Sequence, residues 1–170
     1  SGHGVGAALL SFTLNHLLSP SVEGALLIED TAAGPRIVPP SRVAERLNRQ
    51  FPMDRTRQYF TVVYGVFDAS LGQFRYVMAG HPAPIVLPKS GQPVPLHGGG
   101  VPIGMIEHAA YADESVTLGP GDRIYFYTDG VIEALDGSEQ EFGYERLIAE
   151  VEQQRGRPLR AGLDTIADLV

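Results

Sequence analysis

Apolar positions recur at helical spacing near the start of the chain, at 5–18 (VGAALLSFTLNHLL). Ala8, Leu9, Phe12 and Leu17 give a broad apolar face, so the pattern predicts a helix. From Ser19 to Pro40 the pattern breaks. Pro20, Gly24, Gly34, Pro35, Pro39 and Pro40 interrupt it, and the stretch reads as a long loop. Val43, Leu47 and Phe51 then follow at i, i+4 and i+8, which predicts a helix over about 42–51 with Ser41 as its N-cap. The middle of the chain changes period. Residues 59–68 (YFTVVYGVFD) and 73–80 (QFRYVMAG) are rich in β-branched and aromatic residues, alternate, and flank a turn at 69–72, so they predict a hairpin. Shorter strands are expected at 84–88, 93–96, 111–118 and 123–128, and helices at 144–154 and 160–170. Helices flank a block of antiparallel strands, which makes the class α+β.

Composition narrows the function. The 170 residues carry 44% hydrophobic and 19% charged side chains, which is globular. Thirteen basic against twenty acidic residues give a net charge of −7. That argues against a nucleic-acid or anionic-membrane surface driven by bulk charge. There is no cysteine, which excludes disulfides, zinc–thiolate sites and thiol nucleophiles, and fits a reducing, cytoplasmic compartment. No apolar run approaches the roughly 18 residues of a membrane span. The first apolar stretch lacks a basic flank and carries Asn15 and His16, so it does not read as a signal peptide. The chain opens inside a glycine-rich loop and ends in a helical pattern with no stop signal. Both ends therefore read as cuts through a longer chain.

Four places could carry chemistry. The loop at 1–8, S-G-H-G-V-G-A-A, opens a helix, where close backbone and a helix N-terminus favour an anion. Gly2, Gly4 and Ala7 also meet the loose dinucleotide spacing, with Glu29 and Asp30 about 20 residues on, but the strand pattern lacks the required βαβ unit. The alternative is a tight turn into the helix. Asp129-Gly130 ends an apolar strand, where an acid can bind a hard cation or simply make an Asx turn; Glu133 is then a neighbouring partner or a surface acid. His81, beside Pro82 at a strand end, is a base, a ligand or a structural residue. Arg42, Arg46 and Arg49 share a helix face that suits an acidic or phosphorylated partner, or pairs with the domain's own acids.

Taken in order, S-G-H-G-V-G-A-A, Y-F-T-V-V-Y-G-V-F-D, G-Q-F-R-Y-V-M-A-G-H-P-A-P, V-P-I-G, L-G-P-G-D-R-I-Y-F-Y-T-D-G-V-I-E-A and F-G-Y-E-R-L resemble the metal-dependent serine/threonine phosphatases of the SpoIIE/RsbU type. The resemblance spans nearly the whole chain. It implies a sandwich of two mostly antiparallel β-sheets flanked by helices, like phosphatase 2C. It also implies two Mg²⁺ or Mn²⁺ ions that activate a water against a phosphoserine or phosphothreonine. In that pattern Asp129 matches the T-D-G metal ligand. Gly2, His3 and Gly4 match the end of the first motif, whose metal-bridging Asp would lie two residues before Ser1. The last metal Asp belongs to a D-D-x-T segment after the final helix, and neither Asp164 nor Asp168 has that context. The resemblance thus implies a single phosphatase-like domain over 1–170, short of its first strands and last segment, with a sensor or receiver domain upstream. Its implied substrate is a phosphorylated regulatory protein, such as an anti-sigma-factor antagonist in bacterial signalling. With one acidic ligand of three, the 170 residues alone are expected to be nearly inactive. The competing reading is a metal-free adaptor that binds a partner protein.

Overall fold

A computed structural model describes residues 5–19, 26–56, 58–135 and 139–170. The loop at 1–4, with Gly2, His3 and Gly4, lies outside them.

Two three-stranded antiparallel sheets form the centre. The first runs β3-β4-β7 and is built from β3 (Val62–Asp68), β4 (Gln73–Ala79) and β7 (Glu114–Thr117). The second runs β6-β5-β8, from β5 (Ile85–Leu87), β6 (Val94–Pro95) and β8 (Arg123–Tyr125). The expected hairpin is present, with Val62 opposite Ala79 and Asp68 opposite Gln73. Gly65 is required in β3, because a Cβ there would run into the ring of Phe74.

Strand alternation decides the layers, since successive side chains point to opposite faces. In β4, Tyr76 and Met78 join Val86 and Leu96 in one buried cluster, with Val63, Val116 and Ile124 packed against it. That cluster lies between the sheets. Val77 and Ala79 point the other way, onto α2 (Pro40–Gln50), whose Val43, Ala44 and Leu47 are buried. In β5, Ile85 and Leu87 face Leu147 and Val151 of α5 (Tyr144–Gln153) and Ile166 of α6 (Leu159–Ala167). The result is a helix, sheet, sheet, helix sandwich of the expected α+β class. No helix among the described residues is long and apolar enough to cross a membrane.

Several expectations need correction. The stretch 19–40 is not all loop: β1 (Ile28–Thr31) and β2 (Gly34–Ile37) form a hairpin, with Ile28 opposite Ile37. Helix α2 begins at Pro40, with Pro39 as N-cap, so Ser41 is inside the helix. The cap is tertiary instead: the Ser41 N–H donates to Asp113 Oδ1 at 2.7 Å. Strand β8 stops at Tyr125, three residues early, and β7 begins only at Glu114. Helix α1 (Val5–Leu17) forms, but Leu14, Leu17 and Leu18 face the core while Leu9 and Phe12 are 61% and 73% exposed. The helix is apolar nearly all round, so periodicity alone could not select its buried side.

Candidate functional site

Beyond β8 the chain leaves the second sheet and turns at once into the short helix α4 (Asp129–Ile132). Thr128 is its extended N-cap and makes no side-chain cap. The turn closes through Val131 N–H to Thr128 O at 3.0 Å and Glu133 N–H to Asp129 O at 2.9 Å. Underneath, Tyr127, Val131, Ile132 and Ala134 pack on the α5–α6 core. The chain then returns along itself. Phe142 N–H donates to Ala134 O at 2.8 Å and Gly143 N–H to Ile132 O at 2.9 Å. Phe142 is buried, and the Arg146 guanidinium lies 4.7 Å from its ring centroid. So the base of α4 is fixed by packing and hydrogen bonds, while Asp129, Gly130 and Glu133 are exposed on top.

The Asp129 carboxylate makes no hydrogen bond or ion pair among the described residues, so the Asx-turn reading finds no bond to support it. Other aspartates show what such a turn looks like. Asp68 Oδ1 accepts from Ser70 N–H, Ser70 O–H and Leu71 N–H, and Asp122 accepts from Lys89 N–H and Gly119 N–H. Those bonds hold both carboxyls below the usual carboxylate range, led by the Ser70 hydroxyl for Asp68 and the Lys89 amide for Asp122. Beneath the candidate site, the rings of Tyr127 and Tyr144 lie 6.5 Å apart. Burial, first of all, pushes both phenols above their ordinary value. The Tyr144 hydroxyl is buried without a hydrogen-bond partner among the described residues.

The other candidates separate. The His81 ring lies with Nδ1 2.8 Å from the adjacent Pro82 O. Glu29 sits in the hairpin and accepts from Arg46 at 2.8 Å; with every described strand pair antiparallel, the dinucleotide reading has no βαβ unit to stand on. The three arginines are not equivalent. Arg46 also donates to Leu26 O at 3.2 Å and belongs to the domain's own framework. Arg42 lies 3.5 Å from Glu45. Arg49 has no such partner among the described residues.

Whether this arrangement fits a divalent metal is a question of donors. Mg²⁺ and Mn²⁺ need an octahedral set of oxygens. No group of three or more His, Cys, Asp or Glu side chains among the described residues is placed to hold an ion. Asp129 with Glu133 is therefore not a metal centre by itself, and no chemical step is routed through an ion here. One structural residue escaped the sequence reading. Asn48 is 2% exposed and bonds the loop after Ile103. Its signal was a polar residue inside the buried stripe of α2.

The family model of stage II sporulation protein E (SpoIIE) matches residues 1–170. Among curated relatives, Protein IcfG of Synechocystis sp. is 32% identical over 90 residues, covering 53% of this chain and 14% of that protein. Phosphoserine phosphatase RsbP of Bacillus subtilis is 28% identical over 137 residues, covering 78% of this chain and 31% of that protein. The chain therefore spans less than a third of the length of either. Among solved structures, the PP2C domain of SiaA from Pseudomonas aeruginosa superposes with a TM-score of 0.72 at 18% identity, covering 99% of this chain and 64% of that one. RsbX in complex with magnesium gives 0.62 at 17%, covering 98% and 68%. The RsbU and RsbW domains of Rv1364c from Mycobacterium tuberculosis give 0.56 at 26%, covering 99% and 39%. The fold is that of the PP2C phosphatases.

Proposed function

The chain belongs to the SpoIIE family, and on that footing we propose that it is the phosphatase domain of a longer bacterial signalling protein, acting in the cytoplasm below a sensor or receiver domain. Its reaction is hydrolysis of a phosphoserine or phosphothreonine ester on a regulatory protein of the anti-sigma-factor-antagonist kind. The reading includes a requirement for Mg²⁺ or Mn²⁺, with two ions in the working site. The observation that carries it is Asp129: a carboxylate on a packed base, at the start of α4, with no bond to the described residues. Asp68 and Asp122, by contrast, each accept from two backbone N–H groups. In this proposal Asp129 supplies one acidic donor, and the remaining donors come from outside the described residues. Gly130 and Glu133 flank Asp129.

The second reading, a metal-free adaptor, is favoured by the missing third donor among the described residues. One experiment separates the two. The full-length protein is assayed for phosphate release from a phosphoserine peptide with and without Mn²⁺, beside Asp129→Asn. Loss of an outer-sphere partner already costs roughly 10–100-fold in metal affinity or activity. Asp129→Asn is therefore expected to lose at least about 100-fold, with an unchanged melting temperature because the residue is exposed. Turnover that ignores Mn²⁺ and tolerates Asp129→Asn would sink the catalytic role of this residue.

A further inference from the structure

We propose that the C-terminal end of α2 and the loop that follows Ile103 form a docking surface for the protein substrate, taking a carboxylate of that partner on Arg49 and an apolar side chain beside it. This rests on the reading that a regulatory protein is the substrate.

The surface is assembled by Asn48. Its Nδ2 donates to Ile106 O at 2.9 Å and Glu107 O at 3.0 Å, and its Oδ1 accepts the Gly104 N–H at 2.7 Å. Met53 N–H closes onto Gly104 O at 3.0 Å from the other side. Met53, Met105 and Ile106 stand beside these bonds, and they are 44%, 40% and 52% exposed. A cavity of about 210 Å³ opens beside them, lined by Glu45, Asn48, Arg49, Glu107, His108 and Ala109. Exposed Met and Ile side chains beside an Arg and a polar-lined cavity have the make-up of a protein interface.

Charge indicates what the partner brings. Of the two carboxylates on the cavity wall, one is paired with an arginine and the other stands beside an imidazole. Glu45 has Arg42 at 3.5 Å, and Glu107 has the His108 ring at 3.9 Å. Arg46, one turn before, is spent on Glu29 at 2.8 Å. Arg49 alone of the three helix arginines has no counter-charge among the described residues. A guanidinium takes a carboxylate through two parallel N–H bonds, and Met105 and Ile106 give the neighbouring apolar contact.

The test uses the full-length protein and, as probe, the unphosphorylated anti-sigma-factor antagonist of the same organism, so that binding is read without catalysis. Arg49→Glu and Met105→Ser are each expected to weaken binding about tenfold or more. Arg49→Lys keeps the charge but loses the two-bond fork, and is expected to bind more weakly than wild type and better than Arg49→Glu. Turnover of p-nitrophenyl phosphate is expected to be unchanged in all three. The surface is overturned if the wild-type protein does not bind the antagonist, if Arg49→Glu binds like wild type, or if small-ester turnover falls in parallel with binding. Wild-type protein that binds the antagonist but hydrolyses neither its phosphorylated form nor the small ester would defeat the catalytic reading and leave the docking result intact.

Discussion

Asn48 is the residue on which the docking loop hangs. A buried amide is tolerable only when its donors and acceptors are used. Here both ends are: Oδ1 also accepts from the Tyr111 hydroxyl at 3.3 Å, and Nδ2 serves two carbonyls. Replacing it with leucine of similar volume leaves the buried Gly104 N–H without its acceptor and two loop carbonyls without their donor. Each orphaned buried group costs about 1–3 kcal/mol, and water reaches the exposed loop to limit the loss. Asn48→Leu is therefore expected to lower stability by about 2–4 kcal/mol, read by urea unfolding. A loss below about 0.5 kcal/mol, the usual range of a surface substitution, would mean that the network is not holding the loop. Asp129 obeys the opposite logic. It is exposed and unbonded among the described residues, so its loss costs function and leaves stability alone.

The hairpin β1-β2 shows why some elements were legible in the sequence and others were not. The strands that read clearly, β3 and β4, run to seven residues each and are dense in Val, Tyr and Phe, because most of both faces is covered. Helices α2 and α5 read clearly because each buries one stripe, Val43 with Leu47 and Leu147 with Val151. The strands β1 and β2 are four residues long and lie mostly exposed, so no apolar alternation marks them. Pro35 reads as a breaker, yet proline is admissible in an edge strand. The turn at Ala32-Ala33 lacks the usual Asn-Gly or Asp-Gly signal. A side chain does that work instead: Thr31 Oγ1 donates to Gly34 O at 2.7 Å and accepts the Ala33 N–H at 3.2 Å. The candidate site was legible only as Asp129 and its neighbours, since a site assembled from separate segments leaves no local spacing to read. The arginine face was legible as a face, but not its division into a framework residue, a paired residue and an unpaired one, because Glu29 sits 17 positions from Arg46. The hairpin depends on that long-range contact. Arg46→Ala removes the 2.8 Å bond to Glu29 and the bond to Leu26 O, both only partly shielded from water. The expected cost is about 1 kcal/mol, with faster amide exchange over 28–37 and little change in β4. Unchanged exchange in the hairpin would show that the Val38 N–H to Leu27 O bond and packing suffice without Arg46.

At the scale of the whole molecule, the two ends of the proposed function stand on different layers. Asp129 opens the short helix that follows β8 of the second sheet, whereas Arg49 lies in the last turn of a helix that covers the first. A substrate held by one and hydrolysed at the other needs the sheets fixed against each other, and what fixes them is the layer between. Tyr76 is its largest fully buried member, 1% exposed, stacked on Phe74 at 5.4 Å and bonded through its hydroxyl to His97 O at 2.7 Å. Val86 and Ile124 meet the same cluster from the second sheet. Removing a buried aromatic ring costs about 3–5 kcal/mol, so Tyr76→Ala is expected to lower the melting temperature by on the order of 10 °C at this chain length. Tyr76→Phe loses only the hydrogen bond and is expected to cost about 1 kcal/mol. If the sandwich unfolds as one unit, native-state hydrogen exchange in Tyr76→Ala speeds up for amides of β3 and β4 and equally for those of β5 and β8. Acceleration confined to the first sheet would mean that the two halves open independently, and the coupling between docking surface and candidate site would lose its structural basis.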